Sequence, residues 1–351
     1  MKGEGLRQAT ENRISRRAFL ARTAALCFSA PTLTGLLAAC GGSDTTGGDG
    51  TQGGATSTSK GQQGSWETRA PLPTARSEVA VAEAGGKVYV LGGFVSQSRS
   101  SSLNQAYDPA TDRWQELAPM PRELDHVGAA GLNGMVYAIG GFANQNTGAV
   151  ADVYAYDPAT DRWSESSPLP SPRGALAVTQ LDGRIHAIGG RDTRDVDTHE
   201  VYDPATDTWS KLAPLPTARE HMGAVVVGGK IYVPGGRFEN FQNNTGIHEA
   251  YDPATDQWQT LASLPTPRSG TATAALDGRV LVFGGEEGGG TFKENEAYDP
   301  DTDSWATLAP LPTPRHGIGA AVVNNVVYIL GGAPIPGGSR QSDVNEAFTL
   351  S

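Results

Sequence analysis

Residue types able to do chemistry recur in this chain at fixed distances from tryptophan. Arg76, Arg173, Arg219, Arg268 and Arg315 each lie ten residues after a Trp. Guanidinium groups repeated around one mouth are suited to hold an anion, because each presents a fixed fork of donors. The same repeat supplies a competing partner. Two residues before a recurring Tyr or Phe stand Gln105, Tyr154, Glu200, Glu249, Glu296 and Glu346. The repeat that has Leu124 in place of Arg also has Tyr154 in place of the acid, so Arg and Glu are present together and absent together. Strands two apart are separated by about 9.6 Å, a gap that Arg and Glu span when no side chain intervenes. The pattern predicts buried pairs Arg173–Glu200, Arg219–Glu249, Arg268–Glu296 and Arg315–Glu346, with Arg76 on Gln105.

Three histidines, His126, His221 and His316, fall in alternate repeats, a quasi-threefold arrangement that suits a His-ligated metal. His316 is one residue out of phase with the other two, so in a strand it would face the other way, and neither a metal nor a cofactor is expected. Glu220 with His221 and Arg237, or Glu286 with Arg268, offers an acid/base pair beside a cation. Phe94, Phe142, Phe238 and Arg191 complete the candidates for ligand contact.

These residues are spaced by a strict repeat. Trp66, Trp114, Trp163, Trp209, Trp258 and Trp305 each precede a Gly-Gly pair by 26 residues, and successive Trp are 48, 49, 46, 49 and 47 apart. A period just under 50 made of short strands marks a propeller whose repeat is one four-stranded blade. Strand a follows the Arg, strand b ends at Gly-Gly, strand c ends at Tyr and strand d begins at Trp. Small residues on strand a fit the crowded axis, and Trp on strand d fits the wide periphery. All length variation falls between Gly-Gly and the next Trp, in b–c loops that share one mouth with the d–a loops. The described pattern starts on strand d (Trp66) and stops just after strand c (Phe348), so the first strand is expected to complete the last blade and leave no open edge.

The pattern Arg…Tyr-x-x-Gly-Gly…Tyr-Asp-Pro…Trp resembles the kelch repeat over nearly all of residues 65–351, with His186 and Leu281 replacing the strand-b Tyr and Phe348 the strand-c Tyr. The resemblance implies an all-β, six-bladed kelch-type propeller. Kelch domains of this kind use such arginines for acidic peptides. Copper radical oxidases on a similar propeller need a Cys joined to a Tyr, and no Cys follows Cys40. Periplasmic sialic-acid mutarotase or epimerase propellers are the enzymes that it would most resemble.

The N-terminus reads as an address. Arg16-Arg17 before an apolar stretch resembles the twin-arginine export motif, and Leu37-Ala38-Ala39-Cys40 resembles a bacterial lipobox, which implies lipid on Cys40 and removal of residues 1–39. Residues 40–64 then form a Gly/Ser/Thr-rich tether to the propeller at 65–351. The formal charge is -11; residues 1–39 carry six basic against two acidic side chains, or +4, which leaves -15 beyond them. Such an acidic balance excludes phosphate-tracking nucleic-acid binding and docking on anionic lipid through a basic face. The expected protein is a monomer, lipid-anchored on the extracytoplasmic side of a bacterial membrane. Its propeller mouth would recognise a protein or glycan rather than catalyse; the alternative is the mutarotase-like carbohydrate enzyme.

Overall fold

The computed structural model describes residues 64–350, so Arg16, Arg17 and Cys40 lie outside the described residues. Six antiparallel four-stranded sheets follow one another as blades. In blade four the strands are Val225–Val227, Lys230–Pro234, His248–Asp252 and Gln257–Thr260. Blade six is built from Gly319–Val323, Val326–Leu330 and Asn345–Thr349, and its outermost strand is Ser65–Thr68 from the start of the propeller. That strand pairs Trp66 with Phe348 and Thr68 with Glu346, so the ring is closed by chain ends.

Two devices tie each blade to the next at the periphery. Every repeat Trp donates its indole N–H to a backbone carbonyl of the preceding blade's connection; Trp258 reaches Ala213 O at 2.9 Å and Trp66 reaches Ala309 O at 3.0 Å. Beside it the Asp that ends the turn, five residues after the strand-c Tyr, accepts twice. Asp256 takes the Tyr251 hydroxyl at 2.8 Å and the Ala213 N–H at 2.9 Å. Asp112, Asp161, Asp207 and Asp303 do the same in their blades. Blade six has no such turn, because its strands c and d come from opposite chain ends. Phe348 therefore replaces the Tyr: with no Asp to meet, a hydroxyl there would be a buried orphan. The ring packs instead against Trp66 and Phe283, at centroid distances of 4.9 and 5.8 Å.

The Gly-Gly pair is where one blade's backbone meets the next blade's arginine. Gly235 and Gly236 have φ of 67° and 103°, a region that disfavours any Cβ. Gly236 N–H donates to Arg268 O at 3.0 Å, and a Cβ on Gly235 would lie 2.8 Å from that same oxygen. Conformation and close approach both require glycine.

Blade three buries two histidines against each other, His186 Nδ1 and His199 Nε2 being 2.9 Å apart. Burial pushes His186 down to about 4 and His199 to about 3; His248 in blade four falls to about 4 for the same reason. A buried histidine that stays neutral binds fewer protons than the unfolded chain does below about pH 6.5. Its stabilising share is thus intact above that pH and is lost as the pH falls towards 4. Each contributes a slope of about 1.4 kcal/mol per pH unit across that window. His186→Tyr, which installs the residue found at Tyr89, Tyr137, Tyr232 and Tyr328, is expected to flatten the stability profile between pH 4.5 and 6.5 by about that amount. Urea titrations of both proteins across this range measure it, and parallel profiles would refute the assignment.

Candidate functional site

The recurring arginines lie inside the blades. Arg76, Arg173, Arg219, Arg268 and Arg315 are fully buried. Arg219 Nη1 donates to Glu249 Oε2 at 2.5 Å, Nε to Gly235 O at 2.8 Å and Nη2 to Val233 O at 2.8 Å. Arg173–Glu200 (2.6 Å) and Arg315–Glu346 (2.5 Å) repeat this geometry, as does Arg268–Glu296. Arg76 instead takes Gln105 Oε1 at 2.9 Å. The guanidinium satisfies the end of strand b, where the ladder stops at Gly-Gly. A hydroxyl two residues before the Arg fills the carboxylate's other oxygen: Ser171, Thr217, Thr266 and Thr313 bond Glu200, Glu249, Glu296 and Glu346. That Ser/Thr-x-Arg spacing is readable in the sequence as Ser171, Thr217, Thr266 and Thr313. In blade two, Arg122–Asp152 at 2.9 Å and the Tyr154 hydroxyl on Asp152 at 3.1 Å replace the arrangement.

The mouth shared by the d–a and b–c loops has a different centre. Glu78, His126, Ala175 and His221 all have positive φ, near 52–54°, and Gly270 and Gly317 follow at 64° and 59°. These six occupy one position in the six repeats, twelve residues after each Trp. Each N–H donates to the corresponding carbonyl of the preceding blade, from Glu78 on Gly317 (2.8 Å) round to Gly317 on Gly270 (2.9 Å). The six bonds make a closed ring about the axis. Beyond it runs a channel of 320 Å³, lined by strand-a residues including Ala82, Ala130, Thr179, Val225, Ala274 and Ala321.

The side chains on this ring, on the residue before each, and on the residue after the Gly-Gly pair of blades three to five (Arg191, Arg237, Glu286) make a largely buried charged cluster. Arg237 is its hub: Nε on Glu220 Oε1 (2.8 Å), Nη1 on Glu286 Oε1 (2.6 Å) and Nη2 on His221 Nε2 (2.9 Å). Arg191 Nε lies 3.2 Å from Glu220 Oε2 and its guanidinium covers the Phe142 ring at 5.3 Å. His126 Nδ1 faces Asp125 Oδ1 at 2.6 Å, and its Nε2 lies 3.2 Å from Glu78 Oε2. His316 Nε2 sits between Glu78 Oε1 (3.3 Å) and Glu286 Oε2 (3.2 Å).

Burial opposes charge on all these groups, and their neighbours decide the outcome. Glu78 is held far below the usual carboxylate range by His126 and His316, and Glu220 by His221, Arg237 and Arg191, against desolvation in both cases. His126 and His316 are raised despite burial, by Glu78 with Asp125 and by Glu78 with Glu286. His221 is lowered, by burial and by Arg237.

Of the sequence candidates, His126, Arg191, Glu220, His221, Arg237, Glu286 and His316 thus meet in one cluster. His316 joins it because the neighbouring residues are left-handed turns and not strand, so alternation of faces does not apply there; strand a begins only at Gly128, Val225 and Gly319. Phe94 and Phe142 are buried, their rings edge-on to His126 at 5.5 and 5.6 Å. They are walls of the cluster and not exposed stacking platforms, since each pairs by backbone with the d–a connection, Ser77 with Phe94 and Asp125 with Phe142. Phe238 follows Arg237 outward along its loop, partly buried, with its N–H on Asn243 O. Arg268 pairs with Glu296 and not with Glu286. Sequence reasoning missed Glu78 and Asp125; both stand at the repeat positions of His221 and Glu220, a register that would have found them.

The loops close over this centre by neighbour-to-neighbour links. Ser100 Oγ reaches Asp125 (2.5 Å), Arg191 reaches Asn146 Oδ1 (2.6 Å), and Glu239 N–H reaches Asp195 (2.8 Å). Asn244 Nδ2 bonds Glu286 O (2.6 Å), and Gly337 N–H bonds Glu286 Oε2 (2.9 Å).

A family model described as the KLHDC2/KLHL20/DRC7 Kelch-repeats domain matches residues 32–236 and 213–349, well over half of the chain. The chain belongs to the Kelch-repeat family. Among solved structures, one titled "Structure of YjhT" is similar at a TM-score of 0.68 with 18% identity, over 78% of this chain and 95% of that one. At that identity the likeness speaks for the propeller fold alone. No curated protein matches the chain.

Proposed function

We propose that this Kelch protein is a lipid-tethered, extracytoplasmic recognition module that takes a protein or glycan ligand on the rim of its loop-bearing mouth. The observation that carries the reading is the state of the mouth's centre. Its carboxylates already face Arg191, Arg237, His126 and His316 from within the chain, and the loops are laced over them. Ligand contact then falls to the rim, where the six b–c loops differ most. A groove of 540 Å³ lies there over blade one, lined by Thr74, Val95, Ser96, Arg99, Ser102 and Glu123 among others. Exposed Arg99 and Glu123 beside serines suit a polar ligand such as a glycan. The double change Arg99→Ala with Glu123→Ala is expected to weaken binding at least tenfold on a glycan array or in a partner pull-down while leaving Tm unchanged. Full retention of binding would move the site elsewhere.

Tethering rests on the Cys40 motif. Cys40→Ser is expected to shift the folded protein from the membrane to the soluble fraction, because no other cysteine follows the apolar stretch. Membrane retention of that variant would assign anchoring to the stretch itself.

A second reading is favoured by the meeting of Arg237, Glu220 and His221: a carbohydrate enzyme of the sialic-acid mutarotase type, reached when the loops open. Accelerated exchange between the anomers of a sugar acid, followed by NMR and lost in Arg237→Ala, would establish it over simple recognition.

A further inference from the structure

Within the axial cluster, three of the paired groups also form a set that could hold an ion. One Glu78 carboxylate oxygen, a His126 ring nitrogen and a His221 ring nitrogen converge within 4.8 Å of one another, all three residues buried. They come from blades one, two and four, so only closure of the ring assembles them. The two imidazoles are 4.7 Å apart, centroid to centroid.

The far nitrogens show how the rings are poised. His126 Nδ1 is 2.6 Å from Asp125 Oδ1, and His221 Nδ1 is 3.3 Å from Glu220 Oε1. An Nδ1–H directed at a carboxylate leaves Nε2 as the ligating nitrogen; in His126 that atom faces Glu78 Oε2 at 3.2 Å, and in His221 it accepts from Arg237 Nη2 at 2.9 Å. A histidine backed by a carboxylate in this way is the usual outer arrangement of a metal ligand. Asp125 is itself held by Ser100 Oγ at 2.5 Å and by the Asn146 N–H at 3.1 Å.

We propose that Glu78 Oε2, His126 Nε2 and His221 Nε2 bind a divalent first-row metal ion at the propeller axis. Two imidazoles and one carboxylate suit Zn²⁺, Cu²⁺ or Ni²⁺, and do not suit Ca²⁺ or Mg²⁺, which prefer all-oxygen sites. Arg237 is the competitor, since its Nη2 holds His221 Nε2 at 2.9 Å. Metal entry must displace that one nitrogen while Nε and Nη1 remain on Glu220 and Glu286. The ion is therefore exchangeable and links three blades through a single centre.

Isothermal titration of the full chain with Zn²⁺, and separately with Mg²⁺, tests this. The expected result is one equivalent of Zn²⁺, no Mg²⁺ and a Tm that rises with Zn²⁺. The binding and the Tm rise should be lost in Glu78→Gln and in His126→Gln but kept in His186→Tyr, which breaks the buried His186–His199 pair within blade three. Cys27 and Cys40 of the full chain are competing ligands, so the same titration is run with both changed to Ser. X-ray absorption at the zinc edge of wild type covers the case in which the axial variants fail to fold: two imidazoles with no sulfur supports the site. Absence of saturable Zn²⁺ binding, a sulfur ligand, or full binding retained in Glu78→Gln and His126→Gln each overturns it.

Discussion

A chain that begins after Pro73 is expected to precipitate, or to melt lower by on the order of 10 °C or more. It loses the strand Ser65–Thr68, the Trp66 indole and the buried Leu72, and it leaves Asn345–Thr349 as an open sheet edge. Blade six has no second source for its outer strand, and its Phe348 lacks the Tyr–Asp clip that helps hold the other blades. Trp66 therefore carries more of the closure than its five counterparts: it packs on Phe283 at 5.8 Å and on Phe348, and it bonds Ala309 O. Trp66→Ala alone should cost about 3 kcal/mol, the low end for a large aromatic because this one is only partly buried. Scanning calorimetry and light scattering on the truncated chain check the first expectation. A monomeric truncated chain with unchanged Tm would show that three strands suffice for blade six.

Arg219→Ala should destabilise the protein by about 4 kcal/mol, in the range for breaking a buried ion pair. The loss has identifiable parts: Glu249 keeps only Thr217 Oγ1 as a partner, and the carbonyls of Gly235, Val233 and Thr217 lose their donor. The pair Arg219→Leu with Glu249→Tyr copies Leu124 and Tyr154 of blade two and should recover part of this, because no charge is then left buried alone. Recovery is expected to be incomplete. In blade two the Tyr154 hydroxyl bonds Asp152, and blade four has Ile247 at that place. Denaturant unfolding of the singles and the double gives the coupling energy. Strict additivity would mean that Arg219 and Glu249 act independently, and the arginines would again be open to a ligand.

Much of this molecule was legible in the chain because a repeat reports on itself six times over. The 26-residue Trp to Gly-Gly spacing, the small residues of strand a and the unequal chain ends determine blade count, strand order and closure. Each expresses a local demand: glycine where φ is positive and backbones touch, small side chains at the axis, Trp at the rim. Correlated substitution also marked Arg219 with Glu249, since a buried charge rarely stands without its counter-charge. The axial cluster was legible only as an inventory. Residues with similar labels met different fates. Arg219 ends within its blade and Arg237 at the mouth, and Phe142 turns inward although it sits in a variable loop. His316 meets Glu78, which is 238 positions away in sequence. Alternation along a strand could not foresee that, because the residues concerned lie in left-handed turns that six interblade hydrogen bonds hold about the axis. Local pattern determined the blades; which charges face one another at their common centre was decided by closing the ring.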